Sequence, residues 1–299
     1  MPSFRSSKEK ANHAIRSKVS HGMSRHMNKN NGQIHSLGTE RNYTQALKGV
    51  QMWLDKNRLG DLKNLNSDKA EKYLAERSLL VSQKTLDLDR QALQVLLASK
   101  LDRVQSSVTP GRLATVTRAY TPEQIKAIAA SQNERHSLST EIAHAAGLRA
   151  HELHTLRPAN ERPASSHREW SSNRFEGREG VLYTVVGKGG LLTAKIIPHH
   201  LATRLEALRL SNPQKIRDRG INYERSYDIA GGKKWSETFS RVSKEVLGFS
   251  NGGHGLRHSY AQERESELQA RGYTMEEARG ITAQEMGHFS PDTTRSYER

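Results

Sequence analysis

The sequence predicts a mainly α-helical protein with one small antiparallel β-sheet, divided into two domains. Three observations lead there. Apolar residues recur at helical spacing between residues 38 and 101. The run Thr121-Pro122-Glu123-Gln124 joins a capping hydroxyl, a proline suited to the first helical position and a capping-box glutamine, so a new domain opens on a helix there. Two segments rich in strand formers, 181–186 and 191–197, flank the turn Gly187-Lys188-Gly189-Gly190 and predict a β-hairpin with a lysine at its tip.

Taken in order, residues 1–36 hold Arg5, Lys8, Lys10, Arg16, Lys18, Arg25 and Lys29 against the single acid Glu9, with few large apolar side chains to bury. They read as a basic flexible arm that either follows phosphates or stays solvated. Residues 37–103 read as a helical domain. Tyr43, Ala46, Leu47, Val50, Trp53 and Leu54 mark one helix, and Ala70, Tyr73 and Leu74 a second, opened by Ser67 or Asp68. Leu86, Leu93, Leu96, Leu97 and Leu101 mark a third, with Lys84, Arg90, Lys100 and Arg103 on its polar side. Residues 104–120, with Ser106-Ser107 and Thr109-Pro110-Gly111, read as a linker. Residues 121–299 form the second domain. Its residues 158–180 read as a loop, and helices are expected at about 200–210, 235–247, 256–270, 275–285 and near 292–297.

Composition bounds the partners. The 299 residues suffice for two domains and a sizeable core. Lys and Arg number 47 against 32 Asp and Glu, a formal charge of +15, so a polyanion is the expected partner and nucleic acid the first choice. The absence of cysteine excludes disulfides, thiolate zinc sites and a cysteine nucleophile, and is compatible with a reducing cytoplasm. No apolar stretch reaches the length of a membrane span, and the first thirty residues lack a signal-peptide core.

Four separated patches carry the chemistry. They are Ala146-Gly147-Leu148-Arg149-Ala150-His151-Glu152-Leu153; Gly187-Lys188-Gly189-Gly190; His254-Gly255-Leu256-Arg257-His258-Ser259-Tyr260-Ala261; and Gly287-His288 followed by Thr293-Thr294-Arg295-Ser296-Tyr297. At these residues the chain resembles the tyrosine recombinases, or phage-integrase family. That family's pattern is an arginine in a Gly-Leu-Arg-x-x-Glu-Leu run, a hairpin lysine, His-x-x-Arg, then Gly-His and a tyrosine after Thr-Thr. The resemblance runs from Thr121 to the end. The preceding helical unit is similar to the family's core-binding domain in position and helical character only.

The resemblance implies a mixed α+β catalytic domain in which Tyr297 attacks a DNA phosphodiester and holds it as a 3′-phosphotyrosine. Phosphoryl transfer of this kind needs a nucleophile, fixed positive charge for the non-bridging oxygens and a proton for the leaving oxygen. Arg149 and Arg257 would clamp the charge, and Lys188 would protonate the 5′-oxygen. His254 would bond the phosphate or help take the tyrosine's proton, His288 would donate to a non-bridging oxygen, and Glu152 would hold Arg149. The expected partners are duplex DNA carrying a recombination site, further copies of the chain as a dimer to tetramer, and accessory DNA-bending proteins. The expected place is the bacterial cytoplasm, at the nucleoid when on DNA, with no membrane association. No cofactor or metal is expected.

Competing motifs fail on inspection. His151-Glu152-Leu153-His154 approaches the zinc-protease helix motif, but Thr155 stands where its second histidine would be. Gly189 replaces the Ser or Thr that follows the lysine of a phosphate-binding loop. Two further functions stay open here: relaxation of supercoiled DNA by a type IB topoisomerase, and DNA binding by a catalytically inactive regulator.

Overall fold

The computed structural model describes residues 5–21, 32–108, 117–288 and 294–297; at Lys188 it describes the backbone alone. The chain divides into two compact units between Leu113 and Ala114, inside the stretch 104–120 expected as a linker. Thr109, Pro110 and Gly111 lie outside the described residues.

The first unit is helical. Its helix α1, Ser7–Ile15, is a correction to the flexible arm expected over 1–36. Ser6 caps it: its hydroxyl accepts from the Glu9 amide, and the Glu9 carboxylate accepts from the Ser6 amide at 2.8 Å. Ala11 and Ile15, four residues apart, are buried in one core with Leu47, Val50 and Leu54. Two apolar residues on one helical stripe are enough to dock this segment, which composition alone hides. Helix α2 spans Leu37–Lys56, α3 Ser67–Ser78 and α4 Gln83–Leu97. The cap of α3 is Asn66, which accepts from the Lys69 amide at 3.0 Å, rather than Ser67 or Asp68.

The second unit opens as expected, with Thr121 and Gln124 closing a capping box on α5, Pro122–Ala130. Helix α6, Glu134–Ala145, follows. Strands β1 (Arg157–Pro158), β2 (Val181–Val186) and β3 (Leu192–Ile197) form an antiparallel sheet in that order, with Val181 opposite Ile197 and Val186 opposite Leu192. Helix α7, His199–Ala207, ends earlier than expected, because a second hairpin follows: β4 (Arg209–Asp218) and β5 (Ile221–Tyr227). The sequence predicts only one sheet. Pro213 interrupts the strand pattern, and the pairing register shifts between Arg209 and Gln214, as a residue without an N–H demands.

Helix α8 spans Gly232–Leu247, α9 Gly255–Ala270 and α10 Met275–Glu285. The core gathers Leu138 and Ile142 of α6, Tyr183 and Val185 of β2, Trp235 and Phe239 of α8 and Leu256 of α9. Helix α9 is buried on several faces, polar residues included, so its charges need partners. Arg264 finds one in Glu285 at 2.9 Å, both fully buried. Of the helix expected near 292–297, residues 294–297 are described and make one turn, in which the Tyr297 amide donates to the Thr294 carbonyl at 2.8 Å. No described helix is long and apolar enough to cross a membrane.

Candidate functional site

The turn after α6 places the first arginine. Gly147 sits at φ +59°, and a Cβ there would come 2.7 Å from the Tyr260 ring, so only glycine lets this turn lie against α9. Two residues on, the Arg149 amide donates to Glu152 Oε2 and its Nη1 to Glu152 Oε1, both at 2.7 Å. Glu152 lies in the 3₁₀ turn Glu152–Thr155 and is 2% exposed. Burial pushes its carboxyl up, but the charges of Arg257, Arg149 and Lys195 overcome this and hold it below the usual carboxylate range.

Arg257, in the first turn of α9, has no exposed surface. Nη1 donates to the Gly147 carbonyl and Nη2 to the Met286 carbonyl at 3.1 Å, and Nη1 lies 3.9 Å from Glu152. Its Nε finds no acceptor among the described residues. A buried guanidinium N–H without a partner is a site prepared for an acceptor that comes from elsewhere.

His288 stands between the two arginines. Its Nε2 is 2.9 Å from Arg149 Nη2 and 3.3 Å from Arg257 Nη2. Guanidinium nitrogens only donate, so Nε2 accepts, the ring is neutral, and its proton sits on Nδ1, 3.5 Å from the Thr294 hydroxyl. Burial, followed by the Arg257 and Arg149 charges, pushes this histidine down to about 3. In this arrangement His288 receives hydrogen bonds from the clamp, where the family resemblance has it donating to phosphate.

Tyr297 is 6% exposed and packs within this group. The Arg257 guanidinium carbon lies over its ring, 5.7 Å from the ring centre. The His254, His258 and His288 rings lie 5.4, 4.7 and 5.7 Å from the Tyr297 ring. His254 forms the N-cap of α9 and is exposed. Partial burial and the Arg257 and His258 charges lower it, although solvent at its open edge screens these influences. The backbone of Tyr297 is held as well: its carbonyl accepts from Gln262 at 2.9 Å and lies 3.3 Å from His258 Nδ1.

Arg149, Glu152, His254, Arg257, His288 and Tyr297 therefore converge from three separate stretches of chain. Lys188 occupies the tight turn joining β2 to β3, and its side chain lies outside the described residues. The foot of that turn adjoins the site, since a Cβ on Gly187 would lie 3.8 Å from Glu152 Oε1. Three residues of the site are given no role by the sequence reading. His258 and Gln262 extend the face of α9 that carries His254, and their spacing of four is the available signal. Lys195 of β3 is 1% exposed and donates to the Glu285 carbonyl at 2.5 Å. Burial lowers this lysine to about 7, against the Glu152 charge and with help from Arg257 and Arg149. Nothing local marks it, because β3 is buried on both faces around it. Among the described residues no group of His, Cys, Asp and Glu could hold a metal ion.

No protein-family model and no curated protein sequence matches the chain. Solved structures do. The XerH site-specific recombinase bound to palindromic difH substrate, in a post-cleavage complex, is 16% identical with a TM-score of 0.55; the match covers 100% of this chain and 94% of that one. A lambda integrase dimer bound to a COC′ core site is 16% identical with a TM-score of 0.55, covering 88% and 72%. The Tn1549 transposon integrase in complex with transposon right end DNA is 13% identical with a TM-score of 0.53, covering 99% and 95%. The fold of this chain is thus the one seen in these recombinases and integrases: mainly helical, with a small antiparallel sheet.

Proposed function

We propose that the chain is a site-specific tyrosine recombinase, of integrase or resolvase type, that cuts and rejoins DNA through a 3′-phosphotyrosine on Tyr297. The observation that carries this is the burial of a phenol among two guanidiniums and three imidazoles, one guanidinium having a free N–H. The likeness to recombinases solved with DNA supports it, as does the formal charge of +15.

In the cleavage step the Tyr297 oxygen forms a bond to phosphorus while the bond from phosphorus to the 5′-oxygen breaks. Arg149 and Arg257 offer fixed donors to the non-bridging oxygens, where charge builds in the transition state. Glu152 keeps Arg149 in its rotamer and separates two neighbouring cations. The phenol proton passes to His254 or to His258 beside it. A bound phosphodiester would draw the two arginines from His288, and its negative charge would favour protonation there, so that Nε2 could turn from accepting to donating. Lys188, at the glycine-rich turn, delivers the proton to the departing 5′-oxygen. The bond energy stays in the phosphotyrosine, so religation to another strand reverses the same steps.

Strand exchange of this kind requires paired sites, so the protein acts as a dimer to tetramer on duplex DNA, with DNA-bending proteins as candidate accessories, in the cytoplasm at the nucleoid. The presence of each residue type the transfer needs argues against an inactive regulator, and the likeness to recombinases and integrases solved with DNA favours recombination over topoisomerase action. The test uses nicked duplexes taken from DNA flanking the coding sequence. The wild-type chain should trap a covalent adduct on a denaturing gel, and Tyr297→Phe should bind the duplex without forming one. An adduct in the variant would remove Tyr297 as nucleophile, and relaxation of any supercoiled plasmid without sequence preference would favour the topoisomerase.

A further inference from the structure

The hairpin β4–β5 takes no part in the chemistry above, yet it is built against the site. Its strands are joined by the two residues Arg219 and Gly220, with Asp218 opposite Ile221. Both turn residues have positive φ, +49° and +81°, the pattern of a type I′ turn. Asn or Gly fits the first of these positions without strain; an arginine there holds a backbone region that L-residues other than Asn and Asp avoid.

The tip is fixed. The Lys233 amide donates to Asp218 Oδ1 at 3.0 Å, and the Gly232 amide donates to the carbonyl of Ala150, the neighbour of Arg149, at 2.7 Å. A Cβ on Gly232 would come 2.6 Å from both the Asp218 carboxylate and His154. The Tyr223 ring lies 5.7 Å from His154 and 6.1 Å from His151, the residues that follow the clamp arginine. Burial is the main cause that lowers His151, and the Arg219 charge adds a smaller push in the same direction.

Strand alternation sorts the remaining side chains. Ile216 and Tyr223 face each other and are partly buried, while Lys215 and Arg217 point the other way and are exposed. Lys215, Arg217 and Arg219 make no ion pair among the described residues, unlike Arg209 and Arg225 of the same hairpin, which pair with Glu161 and Asp228. Lys233 and Lys234 are both exposed at the start of α8, and Lys233 pairs with Glu237 at 3.3 Å.

From this we infer that the tip of the β4–β5 hairpin is a phosphate-binding finger for duplex DNA, gripping the backbone beside the bond held by Arg149 and Arg257. Three cations without ion pairs on a rigid element next to the clamp suit a polyanion that runs past the site, and the strained turn keeps one of them at the tip. The inference rests on the recombinase reading and adds to it a binding element that the four motif patches do not contain.

The full chain carrying Lys215→Gln, Arg217→Gln and Arg219→Asn together tests it. All three side chains are exposed and Asn fits the turn position that strains Arg219, so the variant should melt at or slightly above the wild type. Its affinity for the nicked duplex should fall, and the slope of log affinity against log salt should shrink by about two to three, near 0.9 for each phosphate the variant no longer neutralises. Ethylation interference should lose its signal at phosphates next to the cleaved bond. An unchanged salt slope in the folded variant would overturn the finger, while the wild-type adduct would still uphold the recombinase reading. A wild-type chain that bound no duplex would take both down.

Discussion

Lys195→Met gives a stability prediction with a definite sign. The unfolded chain keeps the Lys195 proton up to its ordinary pKa of 10.5, whereas in the folded protein burial releases it near 7. Between those values the unfolded state binds more protons, so this lysine makes stability rise with pH, by up to about 1.4 kcal/mol per pH unit. From about pH 7.5 to about pH 9.5 the contribution is about 2.5 kcal/mol, a little under the full slope because the folded-state lysine is still partly protonated near pH 7.5. Below about pH 7 the folded state carries the full cost of a buried ammonium, set against one hydrogen bond to the Glu285 carbonyl. Methionine fills similar space and has no proton to lose. Urea unfolding at about pH 6.5, 7.5, 8.5 and 9.5 should therefore show the variant gaining on the wild type at the acid end, with the difference closing as pH rises. Parallel stability curves across this range would refute the reasoning and mean that Lys195 stays charged in the fold.

Other outcomes follow from the same structure. Lys188→Ala should cleave ordinary DNA slowly and be largely rescued on a bridging 5′-phosphorothiolate, whose thiolate leaves without a proton; Arg149→Ala should show no such selective rescue, and equal defects of Lys188→Ala on both substrates would leave Lys188 a DNA-contact residue. His288, at about 3 when folded, takes a proton in the unfolded chain below 6.5, so stability should be lost as pH falls from there, by about 2 kcal/mol at pH 5. His288→Asn should flatten that acid limb in denaturant titrations, and an unaltered limb would place the acid sensitivity elsewhere. Ile15→Ala, in the segment whose composition suggests an arm, should cost about 2–4 kcal/mol, because its side chain is 1% exposed in the core of the first unit. Loss of less than half that amount by calorimetry would mean that α1 is not docked in solution.

Much of this protein is legible locally. Caps, helical periodicity and turn residues act over a few positions, so α5, the β2–β3 hairpin and the helices α8 to α10 can be read from Thr121-Pro122-Glu123-Gln124, Gly187 to Gly190 and the spacing of apolar residues. The four motif patches name the chemistry through residue type and order. What local signals do not supply is what packing decides. That His288 accepts from both arginines, and that Arg257 is left with an unpartnered N–H, depends on residues far apart in the chain meeting around α9. Lys195 looks like any strand lysine until both faces of its sheet are covered. The β4–β5 hairpin is hidden by Pro213 and by its polar strands, and α1 by its basic composition. In each case burial, which only the assembled tertiary structure sets, changes what an ordinary side chain does, by removing water from a charge or by giving a short apolar stripe a core to join.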